Sequence, residues 1–216
     1  MKRLCWLTLL TMVLAGTARG EETLDAVMAR AAKDGLPVEA LRSKVREGRA
    51  KRVPQARIRS VVQRLMREMV QARKWLRKGK QPVPAQLMVA VAQARMAGVT
   101  TPDLRSLVPA GSGPRASMQV DVLVDLHLRG YSTADALRLV KGVKHGELAA
   151  LGNAAEGLRR RAQLTHAEAA DALLKAVQAQ RGSLHRAMQS LQRGSRGQQR
   201  TASPPTPAPQ QKKGGR

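Results

Sequence analysis

Aromatic residues are nearly missing from this chain. Its 216 residues include no Phe, one Tyr (Tyr131) and two Trp (Trp6 and Trp75). Single-stranded nucleic acids are held by stacking bases on several aromatic faces, and sequence-specific RNA recognition uses the same platforms. No sequence-specific nucleic-acid partner is therefore expected. Cysteine is equally scarce: Cys5 stands alone. It falls in the segment read below as a leader, so the remaining chain has no disulfide, thiolate metal site or cysteine nucleophile. Long apolar runs are absent too, since the longest, over residues 4–16, is too short for an ordinary membrane span. There is no Gly-x-Ser-x-Gly elbow, no phosphate-cradling glycine loop and no Ser-x-x-Lys with supporting motifs. The expectation is a non-catalytic protein with no cofactor.

What the first residues do contain is a secretory pattern. Lys2 and Arg3 precede the apolar run, and Ala18-Arg19-Gly20 puts small residues at the positions a signal peptidase reads. Residues 1–20 are expected to be a signal peptide cleaved after Gly20, with an uncleaved anchor as the alternative. No cysteine follows the small residues, so a lipoprotein signal is not supported. Export, to the periplasm or beyond, is the expected localisation.

The rest of the chain is written in helix stops and starts. Gly130-Tyr131-Ser132-Thr133-Ala134-Asp135 pairs a glycine suited to closing a helix with a Ser N-cap and an acid three residues on. Gly35-Leu36-Pro37-Val38-Glu39 and Gly98-Val99-Thr100-Thr101-Pro102-Asp103 repeat the grammar, with Pro37 and Pro102 at the first helical position. Gln163-Leu164-Thr165-His166-Ala167-Glu168 lacks the glycine but keeps a Thr-x-x-Glu capping box. Longer helices are expected to start near Leu24, Pro54, Pro84, Arg115 and Gly146, a period of about 31 residues that suits helical hairpins. The predicted fold is all-α: stacked short helical hairpins in a degenerate repeat over residues 21–191, then a disordered basic tail over residues 192–216 rich in Pro, Gln, Gly and Lys. Chance likeness among generic caps is the alternative to a true repeat.

Two segments are singular. Residues 54–78 read as one amphipathic helix, with Ile58, Val61, Val62, Leu65, Met69 and Leu76 along one face. Residues 120–128, Val-Asp-Val-Leu-Val-Asp-Leu-His-Leu, alternate like a strand. A lone strand cannot satisfy its backbone, so the segment is read as a helix central to the stack.

Charge is the strongest compositional signal. The formal net charge is +24. Three of those charges (Lys2, Arg3 and Arg19) leave with the leader, so the mature chain carries +21. Residues 42–80 hold 15 basic side chains against Glu47 and Glu68. Such a run attracts phosphate or carboxylate polymers by counter-ion release. For an exported protein the candidates are an anionic envelope polymer or lipid surface, with Arg42, Arg49, Lys51, Arg52, Arg57, Arg64, Arg67, Lys74, Arg77 and Lys78 as the binding residues; a protein partner is the other possibility. The bland reading is genomic: 27 Arg to 12 Lys is what a GC-rich genome writes onto any surface.

Weaker constellations remain. Asp121, Asp125 and His127 share a short stretch and are compatible with acid–base or metal chemistry, but Asp125 is also placed to pair with Arg129 at i,i+4. Met66 and Met69 offer thioethers to Cu(I), or simply pack a core. Residues 54–78, with Trp75 as an interfacial anchor, are compatible with a membrane-surface helix.

The joints at Gly35 and Gly130, the latter followed by Ala136-Leu137-Arg138-Leu139-Val140, resemble exported helical proteins of GC-rich bacteria over roughly residues 24–177. That group has no assigned activity, so the resemblance implies a helical fold and export only. Leu164-Thr165-His166-Ala167-Glu168 resembles the Leu-Thr-x-x-Gln motif of periplasmic holdase chaperones, with Glu in place of Gln. The functional expectation is an exported interaction or scaffold protein with a basic binding face. A holdase is the alternative, and a membrane-surface protein or an enzyme comes third.

Overall fold

The computed structural model describes residues 22–201, with side chains to residue 193. Every regular element among them is helical: α1 (Leu24–Lys33), α2 (Val38–Ala50), α3 (Gln55–Leu76), α4 (Ala85–Met96), α5 (Thr101–Leu107), α6 (Ala116–Leu128), α7 (Thr133–Gly142), a 3₁₀ helix (His145–Ala150), α8 (Leu151–Ala162), α9 (His166–Ala179) and α10 (Leu184–Thr201). The expected leader, residues 1–20, lies outside the described residues.

The joints close their helices by one device. In each, the backbone N–H after the left-handed residue returns to a carbonyl five residues earlier: Leu36 to Ala31, Val99 to Ala94, Tyr131 to Leu126 and Leu164 to Arg159. This is the Schellman closure. Gly130 stands at φ +98, and Gln163 takes the left-handed position itself at φ +54. The fourth joint thus keeps the geometry without the glycine. Arg52 and Arg181, also at positive φ, close α2 and α9 in the same way, through Val53 to Gly48 and Gly182 to Val177. The apolar residue of three joints is buried, namely Leu36, Val99 and Tyr131. Ser132 accepts a hydrogen bond from the Asp135 backbone N–H at 3.1 Å. Thr165 and Glu168 complete a full capping box. Pro37 sits one place earlier than expected, as the cap of α2, while Thr100 caps α5 ahead of Pro102.

The chain divides into two compact units, Met1–Arg67 and Glu68–Arg216, where the sequence reads one domain over residues 21–191. In the first, α1 packs against α2 and buries Val27, Ala31, Leu41 and Val45. Gly48 on α2 lets Ile58 of α3 approach so closely that a Cβ there would lie 2.7 Å from the Ile58 Cγ1.

In the second unit α6 is the hub. It packs against α4, α5, α7, α8 and the 3₁₀ helix. Val120, Leu123 and Leu126 are fully buried, so the alternating segment is helical and central as expected. Gly152 of α8 makes one of these contacts possible, since a Cβ there would collide with the Asp125 carboxylate. α7, α8 and α10 all pack on α9.

Helices begin at Leu24, Gln55, Ala85 and Ala116, which are 31, 30 and 31 residues apart. The content of these intervals differs, because α3 fills most of its interval as a single 22-residue helix. One expectation needs correction. The helix expected from Gly146 to Arg161 is broken into a 3₁₀ helix and α8. Gly146 is a poor helix former, and Glu147 is turned to accept hydrogen bonds from the Ser183 Oγ (3.1 Å) and the Leu184 backbone N–H, which caps the start of α10. Further on, α10 runs from Leu184 to Thr201. Residues 202–216 lie outside the described residues.

Candidate basic binding site

Of the ten basic residues singled out by the sequence, seven belong to the first unit and three to the second. On α2 the acids absorb much of the charge. Glu39 is shared by Arg42 at 3.7 Å and Arg46 at 2.7 Å, and Glu47 by Lys44 at 2.8 Å and Lys51 at 2.6 Å. Hydrogen bonds from Lys44 and Lys51 hold the Glu47 carboxyl down at about 2. Arg42 and Lys51 are therefore already engaged. Arg49 and Arg52 are exposed.

The first-unit part of α3 differs. Arg57, Arg64 and Arg67 are exposed and lie on the side of the helix opposite Ile58, Val62 and Leu65, which are buried. Arg57 and Arg64, two turns apart, fall nearly in line. No acidic partner meets these three guanidinium groups among the described residues. The same burial bears on two sequence readings. The apolar side of α3 is inside the protein, so in this fold it is not presented to a bilayer. Met66 and Met69 are both buried with it, 5 % and 0 % exposed.

In the second unit, Lys74, Arg77 and Lys78 are exposed at and just beyond the end of α3. Lys74 lines an open cleft of about 460 Å³ together with Gln71, Trp75, Arg95, Thr101 and Arg105, drawn from α3, α4 and α5. The Arg105 guanidinium lies over the Trp75 ring, 6.0 Å from its centroid, within reach of a cation–π attraction. Arg95 donates to Glu68 at 2.6 Å and also bonds Thr101. The Trp75 Nε1 is buried without an acceptor among the described residues. Of these six, sequence reasoning named Lys74 as a binding residue and Trp75 only as an interfacial anchor. The others are separated by up to 34 positions, and no linear spacing announces them.

The acidic stretch on α6 does not converge. Arg129 donates from its Nε to both Asp125 oxygens at 2.9 Å and reaches Asn153 through its Nη2. Asp121 is exposed, with partial desolvation raising its pKa. His127 faces Thr133, with Nδ1 3.4 Å from its Oγ1. Among the described residues no three His, Cys, Asp or Glu side chains gather as a metal site would require. Likewise, no helix among them is long and apolar enough to cross a membrane. His166 packs its ring edge-on against Tyr131, centroids 4.9 Å apart, in the joint between α6 and α7.

No protein-family model, no curated protein and no solved structure matches the chain.

Proposed function

We propose that this is an exported, non-catalytic helical protein whose basic side chains hold an anionic component of the cell envelope. The observation that carries the reading is the set of exposed guanidinium groups on α3, Arg57, Arg64 and Arg67, with no carboxylate partner among the described residues. Cations already paired within the protein have little left to offer an outside anion. Unpaired cations on one side of a helix keep their full field and release the polymer's counter-ions on contact. Export rests on the charged start, apolar run and small-residue site of residues 1–20.

Co-sedimentation with lipopolysaccharide and with anionic vesicles tests the binding half. Capture at low salt that fades as salt rises is the expected result. Absence of capture, or capture indifferent to salt, would overturn it. Export is checked separately, by looking for a processed chain beginning at Glu21 in the periplasm or medium.

A further inference from the structure

The cleft at the end of α3 is lined by more positive than negative charge. Three cations line it: Lys74, Arg95 and Arg105. One is cancelled in place, because Arg95 is bound to Glu68. Lys74 and Arg105 are both exposed and have no acidic partner among the described residues. The cleft therefore presents two uncompensated positive charges around a concave space. Trp75 and Arg105 give it an ordered wall, since the guanidinium lies over the ring. A guanidinium held in this way loses less freedom on gripping an anion, and its planar fork matches two oxygens of a phosphate. The Thr101 hydroxyl and the Gln71 amide add neutral polar groups on the same lining. A volume of about 460 Å³ is ample for a phosphorylated sugar or a lipid headgroup.

We propose that this cleft is a phosphate-monoester site, with Lys74 and Arg105 as the two countercharges and Trp75 as part of its wall. A phosphate monoester is close to a dianion at neutral pH, which matches the two free cations where a diester or carboxylate would match only one. The inference does not depend on the exposed arginines of α3. Five of its six lining residues lie outside the ten expected from the sequence, and Arg57, Arg64 and Arg67 are not among them.

Titration of the full chain carrying Trp6→Leu, which leaves Trp75 as the only indole, tests the site by fluorescence and calorimetry. The probes are inorganic phosphate, glycerol phosphate, and phosphatidylcholine vesicles with and without phosphatidic acid. A saturable change in Trp75 emission with a soluble phosphate supports a free ligand. A change only with the phosphatidic acid vesicles supports a lipid headgroup. In either case Lys74→Gln with Arg105→Gln should weaken binding by at least about tenfold, while Arg57→Gln with Arg64→Gln and Arg67→Gln should leave this signal intact. Both substituted cleft positions are exposed, and an unchanged circular dichroism spectrum would show that the fold survives. No response to any probe, or equal affinity in the Lys74/Arg105 variant, would overturn the proposal. Absence of envelope capture by the unsubstituted chain, with an intact phosphate response, would instead count against the α3 reading alone.

Discussion

α3 and α6 use their residues in opposite ways. α6 is apolar on several sides, touches five other elements, and buries Val120, Leu123 and Leu126 completely. α3 keeps one buried side and turns a row of arginines outward. The difference extends to charge. The Asp125 carboxylate on α6 is fully used by Arg129. Glu156 of α8 serves both Arg159 and Arg160, and Asp135 of α7 binds Arg138. Arg57, Arg64 and Arg67 of α3 have no such partner among the described residues. A uniformly basic composition thus becomes a non-uniform surface once the few acids have chosen their neighbours. The comparison gives α6 a structural part and leaves the outer side of α3 open for the recognition proposed above.

The largest test of that division is stability. Leu123→Ala opens a fully buried position in the hub and should cost about 2–5 kcal/mol. Arg64→Ala removes an exposed side chain and should stay within about 0.5 kcal/mol of the parent. Urea denaturation of the two variants measures both. Similar losses would break the contrast.

A smaller effect separates the joints. Gly130→Ala puts a Cβ at φ +98 and 3.2 Å from the His166 ring, so about 1–2 kcal/mol of destabilisation is expected. Gln163→Gly relieves the same left-handed strain and should stabilise by up to about 1 kcal/mol. Opposite signs in thermal melts would confirm that one closure serves both joints; equal signs would show that they differ.

pH sharpens the charge side. Hydrogen bonds from Arg159 and Arg160 hold the Glu156 carboxyl down at about 2, from an ordinary value of 4.5. A folded pKa depressed in this way adds stability that is complete above the unfolded value and is lost as pH falls from 4.5 towards 2. Glu156→Gln should flatten part of that acid limb. The Glu47 carboxyl, also held at about 2, should keep the rest. Superimposable acid limbs in parent and variant would contradict the assignment.

Much of the fold could be read from local chemistry. Caps and closures are near-neighbour events, so Ser132 with Asp135 and Thr165 with Glu168 announced the starts of α7 and α9. The strand-like alternation of residues 120–128 was correctly overruled because no partner strand existed. Distant contacts were not legible. Nothing in the sequence says that Glu147 will cap α10 and break the helix around it, or that the left-handed position at the end of α2 falls to Arg52. The basic run was legible, and part of its partition lay open as well. The density of basic residues brought out Arg57 and Arg64, while Glu39 three before Arg42 and Glu47 four before Lys51 stand at helix-neighbour spacings from which the pairing could have been read. The cleft was invisible, since Arg95, Thr101 and Arg105 meet Trp75 only through the packing of α4 and α5.

The most direct test of the account compares two charge-matched variants for salt-sensitive capture by lipopolysaccharide and anionic vesicles. One carries Gln at Arg57, Arg64 and Arg67; the other carries Gln at Arg129, Arg138 and Arg160, which are paired within the protein. Each loses the same positive charge. The account predicts that the first loses capture and the second keeps most of it. Equal loss in both would mean that net charge alone governs binding, and would contradict a recognition side on α3.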